Sequence, residues 1–299
     1  MNHKYLLTAF VLVFTFLVSP VQTQAQSTPL ETVYRNTLIE LIQTLQKQVL
    51  RLQAELATKK DVVGEESFGL SGQVQVVATY FVDDESDLSD IKNTPHRDYF
   101  KRVYELFPAE YDSKLKKLLV FGGEHDEFDA FVKILPPTHE YWMYAVHQEV
   151  AEDYSFTPDT ELIIHELAHI ISYEEILGVP KSGVASCDSY FSNHGCPSAS
   201  SYLKQFSDAF WSGSDMLRSE QIADSRNPAD AANDYYEQHQ DEFVSDYAVL
   251  GPEEDFAETF MFYVTGKLPS LGSEARDKIN FLNNYSSLRD LKEEVKKSI

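Results

Sequence analysis

The feature that most constrains this chain is the pentapeptide His165-Glu166-Leu167-Ala168-His169, which lies inside an almost uninterrupted apolar run. Residues four apart share one face of a helix, so the two imidazoles lie one turn apart. The apolar run predicts a buried helix. Two histidines in such a helix are either hydrogen-bonded core residues or ligands of a metal ion. We favour the metal interpretation, because this spacing on an apolar helix is typical of a Zn²⁺ site with Glu166 as general base.

The N-terminus resembles a secretory signal. Lys4 is the only charged residue among the first 30, and an apolar run from Tyr5 to Val18 precedes Thr23-Gln24-Ala25. This pattern predicts a signal peptide over residues 1–25 and a location outside the cell or in the cell envelope or periplasm. An uncleaved membrane anchor is the alternative, but the run is shorter than the roughly 20 residues that span a bilayer.

The charge balance excludes some partners. The formal net charge is −23, and loss of residues 1–25 removes one lysine and no acid. Such an acidic surface argues against binding to nucleic acid or to anionic membranes. No other stretch is long enough to cross a membrane, so we expect no stable span in the mature chain.

A heptad pattern occupies the segment after the signal peptide. It predicts a coiled-coil or amphipathic helix over residues 26–59, with self-association through residues 30–57 or packing on the rest of the chain as the two alternatives. A linker is expected at 60–66 and the main domain at 67–299. The heptad positions are Leu38, Ile42, Leu45, Val49, Leu52 and Leu56.

The two cysteines, Cys187 and Cys196, are nine residues apart. In an exported protein such a pair predicts a disulfide around a small loop. The alternative is a metal site formed by Cys187, His194 and Cys196.

The main domain reads as an α+β fold, with strands concentrated before the motif helix and helices after it. The strand Tyr141–Val150, just before the motif helix, is expected to form the sheet edge along which an extended substrate pairs. Residues 174–240 form a long insertion, whose part Ser219–Gln240 reads as loop, with Asn227-Pro228 as a breaker. Further strands are predicted at Val74–Val82, Leu115–Phe121 and Ala130–Leu135, and helices at His96–Leu106, Tyr202–Trp211, 254–265, Ser273–Asn283 and Ser287–Lys297.

Two histidines leave a catalytic zinc site one protein ligand short, since such sites have three protein ligands and an open position. Glu254 is the preferred third ligand, because it lies on an apolar helix that Pro252 can start. Glu258, one turn later, would then hydrogen-bond a ligating histidine. The alternatives are Glu258 or Glu175 as the ligand, the cysteine site above, and acids that merely favour a helix N-terminus.

The motif helix together with Glu254-Asp255-Phe256-Ala257-Glu258 resembles the gluzincin class of zinc metallopeptidases, and most of all the anthrax lethal factor and Pro-Pro endopeptidase group. The resemblance covers the motif and residues 243–263. It implies a zincin-like α+β domain with a small mixed sheet and a mainly helical C-terminal part. It also implies that Tyr247, seven residues before Glu254, stabilises the oxyanion. The gap of 85 residues between His169 and Glu254 is longer than in that group, so no cleavage preference follows.

The sequence therefore predicts an exported zinc metalloendopeptidase that acts on a peptide or protein substrate. Zn²⁺ would be held by His165, His169 and Glu254, with Glu166 and Tyr247 as catalytic residues. One alternative is a non-catalytic interaction protein of the cell envelope that works through its coiled coil. Another is a zinc hydrolase acting on a non-peptide amide.

Overall fold

A computed structural model describes most of the main domain, and these residues all belong to the compact unit Glu65–Ile299. The described ranges are 75–82, 87–123, 129–135, 140–153, 160–173, 176–177 and 196–299. Several predictions concern residues outside these ranges and stay predictions: the signal peptide 1–25, the coiled-coil segment 26–59, the linker 60–66, the metal-ligand candidates Glu175 and His194, and the disulfide partner Cys187.

A four-stranded mixed sheet forms the first half of the fold. Its strands are β1 (Gln75–Phe81), β2 (Leu115–Gly122), β3 (Ala130–Leu135) and β4 (Tyr141–His147), in the spatial order β1-β2-β4-β3. Strand β4 runs parallel to β2 and antiparallel to β3, while β1 is antiparallel to β2. The strand before the motif helix therefore lies inside the sheet, and the prediction that it forms the edge is wrong. Both faces of β4 are covered, which explains why it reads as a continuous apolar run.

The two faces of the sheet pack into different apolar clusters. Side chains alternate between faces along a strand. Trp142, Tyr144 and Val146 of β4 join the main core with the helices, whereas Met143 and Ala145 join a smaller cluster with Phe121 of β2.

Within the described ranges, two helices lie between β1 and β2, and further helices follow β4 and make up most of the chain after residue 200. A two-residue antiparallel pair, β5 (Ile176–Leu177) with β6 (Cys196–Pro197), follows the motif helix in the chain. The helices are α1 (Thr94–Leu106), α2 (Ala109–Asp112), α3 (Gln148–Glu152), α4 (Thr160–Tyr173), α5 (Tyr202–Phe210), α6 (Gly213–Ala223), α7 (Pro228–Gln238), α8 (Pro252–Thr265), α9 (Glu274–Leu282) and α10 (Ser286–Lys296). The short 3-10 helix Tyr247–Leu250 precedes α8.

The α+β class, with a small mixed sheet and a mainly helical C-terminal part, is confirmed. The prediction of loop over Ser219–Gln240 is wrong, because α6 and α7 occupy most of that segment. A reciprocal hydrogen-bonded cap between Ser212 and Asp215 starts α6. Pro228 starts α7, where its missing N–H costs nothing, so Asn227-Pro228 begins a helix and does not break one.

Helix α4 is the most deeply buried helix of the described part of the chain. Every residue from Ile163 to Tyr173 is buried, and the helix packs against α8 and β3. The side chains of Ile163, Ile164, Leu167 and Ile170 are fully buried, and each contributes about 1.5–3 kcal/mol by leaving water. Helix α8 begins at Pro252 as the sequence predicted and ends at Gly266, whose φ of 78° is the left-handed conformation that glycine adopts most easily.

Among the described residues, no helix combines the length and the apolarity that crossing a bilayer requires.

Leu167→Ala should lower the free energy of unfolding by about 2–5 kcal/mol, because Leu167 is fully buried where α4 joins the core. Urea titration followed by circular dichroism measures the change. Leu271→Ala is the matched control, since Leu271 is 88% exposed and its loss should change stability by less than about 0.5 kcal/mol. Equal stability of the two variants would show that the packing of Leu167 on α4 does not contribute to the stability of the core.

Candidate metal site

Three side chains on two helices form a group that could hold a metal ion. His165 and His169 lie one turn apart on α4, and Glu254 lies in the first turn of α8. The Nε2 atoms of the two histidines are 3.0 Å apart, and Glu254 Oε2 is 3.2 Å from each of them. Three atoms with lone pairs therefore point at one place, which costs energy unless a cation or a proton lies among them.

The far side of the His165 ring contacts a second carboxylate. Its Nδ1–H donates to Glu258 Oε1 over 2.7 Å, which leaves the lone pair on Nε2 turned toward Glu254. Glu258 also accepts a hydrogen bond from the Ser245 hydroxyl. The Glu258 carboxylate is thus held between α4 and the segment that leads into α8, and it sets the tautomer of His165.

The His169 ring is oriented by aromatic stacking. It stacks on Tyr173 with ring centroids 5.7 Å apart, and Tyr173 stacks in turn on Trp142 at 6.1 Å. Among the described residues, the buried Nδ1 of His169 has no hydrogen-bond partner. Ring packing therefore limits the rotation of His169, whereas a hydrogen bond to a carboxylate limits the rotation of His165.

Glu166 lies beside the group and is almost completely buried, with 3% of its surface exposed. Its carboxylate accepts a hydrogen bond from the Val132 backbone N–H on β3, while its Oε2 has no partner in the described part of the chain. Burial raises the pKa of the Glu166 carboxyl above its usual value, and the neighbouring His169 and His165 rings offset only part of that effect. A buried carboxyl with one unused oxygen is suited to exchange a proton with a molecule beside it.

Tyr247 packs against His165. Its ring meets the His165 ring edge to face, with centroids 5.6 Å apart. Burial, together with the negative charge of Glu254 and Glu166, holds the pKa of the Tyr247 phenol well above its usual value. The phenol is therefore protonated at neutral pH and can donate a hydrogen bond.

The charge of Glu254 is stabilised locally. Burial by itself would raise the pKa of its carboxyl, but the His169 and His165 rings lower that pKa below its usual value. Glu254 is consequently an anion facing two imidazoles, a donor set of the kind that binds divalent metals.

The structure thus brings together His165, Glu166, His169, Tyr247, Glu254 and Glu258. Cys196 lies in β6, and its predicted disulfide stays a prediction because Cys187 is outside the described residues. Sequence reasoning missed the Val132 N–H and the Ser245 hydroxyl. No sequence pattern signals a backbone donor on a strand, and a serine two residues before Tyr247 is too common to stand out.

The comparisons with known proteins identify no relative. No protein-family model matches the chain, and neither the curated proteins nor the solved structures contain a significant match.

Glu258→Ala should weaken metal binding by about 10–100-fold, because the His165 ring loses the carboxylate that sets its tautomer and orientation. Competition with a chromophoric chelator measures the dissociation constant. Glu237→Ala, which removes an exposed glutamate from α7, is the control and should bind as the wild type does. Unchanged affinity in Glu258→Ala would show that the Glu258 contact has no part in binding.

Proposed function

We propose that this protein is a zinc-dependent metalloendopeptidase of the gluzincin type. The observation that carries the proposal is the convergence of His165 Nε2, His169 Nε2 and Glu254 Oε2, with the Glu166 carboxyl beside them. We also propose that the protein is exported and that its signal peptide is cleaved.

The donor set fits zinc better than it fits calcium or magnesium. Two imidazoles and one carboxylate form the protein half of many catalytic zinc sites, whereas calcium and magnesium prefer oxygen ligands alone. Zinc bonds of about 2.0–2.1 Å at tetrahedral angles place neighbouring ligand atoms about 3.3 Å apart. The observed separations of 3.0, 3.2 and 3.2 Å are close to that value.

When bound, zinc supplies Lewis-acid polarisation of the scissile carbonyl and lowers the pKa of a water molecule. Glu166 accepts the proton that this water loses as its oxygen bonds to the carbonyl carbon. Glu166 then returns the proton to the amine nitrogen as the carbon–nitrogen bond breaks, so that no proton is gained or lost. Oε2 of Glu166, which has no partner among the described residues, is the atom available for both transfers.

Tyr247 stabilises the negative charge that develops on the carbonyl oxygen. Its protonated phenol lies beside the His165 ring and near both Glu166 and Glu254. A hydrogen bond that strengthens as this charge develops lowers the barrier to reaction.

A peptide substrate is supported by strand β3, whose outer side pairs with no other described strand. The His147 N–H donates to the Asp129 carbonyl between β4 and the start of β3. Alternate residues of this segment, beginning at Asp129, therefore direct their backbone N–H and C=O groups to β4. Ala130, Val132 and Ile134 therefore direct their backbone groups to the free edge. The Val132 N–H donates to Glu166, which brings this edge next to the catalytic base. An extended peptide can add as a further strand beside Glu166 without any sequence requirement.

Metal analysis combined with a cleavage assay tests the proposal. The purified full chain should carry one zinc per molecule and should cleave casein or a peptide library. Chelation should stop the cleavage, and added zinc should restore it. A protein that takes up no zinc, or that holds zinc and cleaves no peptide, would refute the assignment; in the second case a panel of non-peptide amides is the next substrate set.

Glu166→Gln should lower kcat by at least about 10²–10⁴-fold with zinc content unchanged, because glutamine cannot exchange the proton. Turnover of a fluorogenic peptide and metal content are measured on the same sample. Glu161→Gln is the matched control, since Glu161 lies on the same helix with its side chain 41% exposed. A Glu166→Gln enzyme with wild-type turnover would remove Glu166 from the mechanism.

Tyr247→Phe should lower kcat by about 10²–10³-fold with little change in KM or metal content, because only the transition state uses the hydroxyl fully. Steady-state kinetics separate kcat from KM. Tyr285→Phe, which removes a hydroxyl bonded to Gln205 Oε1 at 2.8 Å, should leave kcat unchanged. If both variants turn over at the wild-type rate, Tyr247 only packs against His165.

A further inference from the structure

A completely buried ion pair adjoins the carboxylate of the candidate site. Asp255 follows Glu254 on α8, and Lys278 lies on α9. Both residues are 0% exposed, and Lys278 Nζ is 2.8 Å from Asp255 Oδ2. Charges are almost never fully buried in this way unless they are paired and hydrogen-bonded.

The pair makes directional bonds to several segments of the chain. Asp255 accepts hydrogen bonds from the Trp211 indole N–H at 2.9 Å and from the Thr259 hydroxyl at 3.3 Å. Lys278 donates to the Glu242 carbonyl at 2.7 Å, and its ammonium lies 4.1 Å from the centre of the Phe243 ring. Both carboxylate oxygens of Asp255 and the ammonium nitrogen of Lys278 thus have hydrogen-bond partners.

These bonds connect the first turn of α8 to the chain segment that supplies Ser245 and Tyr247. Glu242 lies three residues before Ser245 and five before Tyr247. Because neighbouring residues on a helix point about 100° apart, Asp255 can reach into the core while Glu254 faces the two histidines. The ion pair therefore limits rotation and sliding of the helical turn that carries Glu254.

Stability is a poor explanation for such a pair. Apolar residues of similar size usually stabilise a core as well as a buried ion pair, or better, since both charges must lose their water. What an ion pair with directional bonds adds is one defined arrangement of the segments that it joins. The residue that most needs a defined arrangement here is Glu254, whose oxygen lies 3.2 Å from two nitrogens.

We propose that Asp255 and Lys278 are positioning residues, which hold the Glu254 carboxylate in place and thereby set the affinity of the site for its metal. The inference rests on the proposed metal site and names two residues outside the ligand set that determine its metal affinity.

The central variant is the double replacement Asp255→Asn with Lys278→Met, which removes both charges and leaves no unpaired charge in the core. It is compared with the pair Glu161→Gln with Lys267→Met, which removes an exposed ion pair between α4 and the end of α8. Full-length proteins are titrated with zinc against a chromophoric chelator. Unfolding midpoints are measured in excess chelator, and the visible spectrum is recorded with Co²⁺ in place of zinc.

The buried double variant should bind zinc about tenfold more weakly than the wild type. Its metal-free unfolding midpoint should stay close to that of the wild type, and its cobalt bands should change in intensity as the coordination geometry changes. The exposed double variant should match the wild type in all three measurements. Wild-type affinity and an unchanged cobalt spectrum in the buried double variant would overturn the inference.

Trp211→Phe keeps the proposal testable if the buried double variant does not fold, because it removes only the indole N–H that bonds Asp255. It should weaken zinc binding by about threefold, by analogy with the smaller loss of one hydrogen bond. A folded Trp211→Phe protein with wild-type affinity would then overturn the inference. The wild type separates the two proposals: failure to bind zinc refutes the metal site itself, whereas tight wild-type binding with unaffected variants refutes only the positioning role.

Discussion

The packing of α4 against α8 is the interaction on which the rest of the site depends. Helix α4 carries two imidazoles one turn apart, and α8 carries the carboxylate that approaches both to 3.2 Å. Neither helix makes a three-atom group by itself. The apolar side chains around these residues hold the helices together, and their burial offsets the cost of removing histidine and glutamate side chains from water.

Polar groups around the site are paired across segments. These pairs offset the cost of removing the groups from water, and they also fix how the segments lie against one another. Glu258 joins α8 to His165, and Lys278 joins α9 to Asp255. The exceptions are Glu166 Oε2 and His169 Nδ1, which lack partners among the described residues. Unsatisfied buried atoms are uncommon in proteins. Five such side-chain atoms occur among the described residues: two belong to the pentapeptide on α4, and the others are Arg102 Nε, His147 Nε2 and Ser225 Oγ. Local rules are expected to fail at functional sites, so the two atoms on α4 are consistent with a functional role for that helix.

Sequence reasoning predicted the elements with strong local signals. The four strands of the sheet and helices α4 and α8 follow from apolar periodicity, and Pro252 marks the start of α8. It failed where one signal has two meanings. Asn227-Pro228 predicts a break, but proline is also favoured at the first position of a helix, and Pro228 starts α7. The position of β4 just before the motif helix predicts an edge strand by likeness to zinc peptidases, but chain order does not determine which strands become its neighbours.

The sequence by itself determined that two histidines share one buried helical face with a glutamate beside them, since a period of 3.6 residues requires nothing beyond the chain's own spacing. It also predicted Glu254 as the third metal ligand, because Glu254 lies on the helix that Pro252 begins. Only the tertiary structure decided that Glu254 meets both rings while Glu258 contacts the far nitrogen of His165. That choice depends on how two helices 85 residues apart rotate against each other, and rotation is set by side-chain packing and buried bonds, which local spacing does not contain.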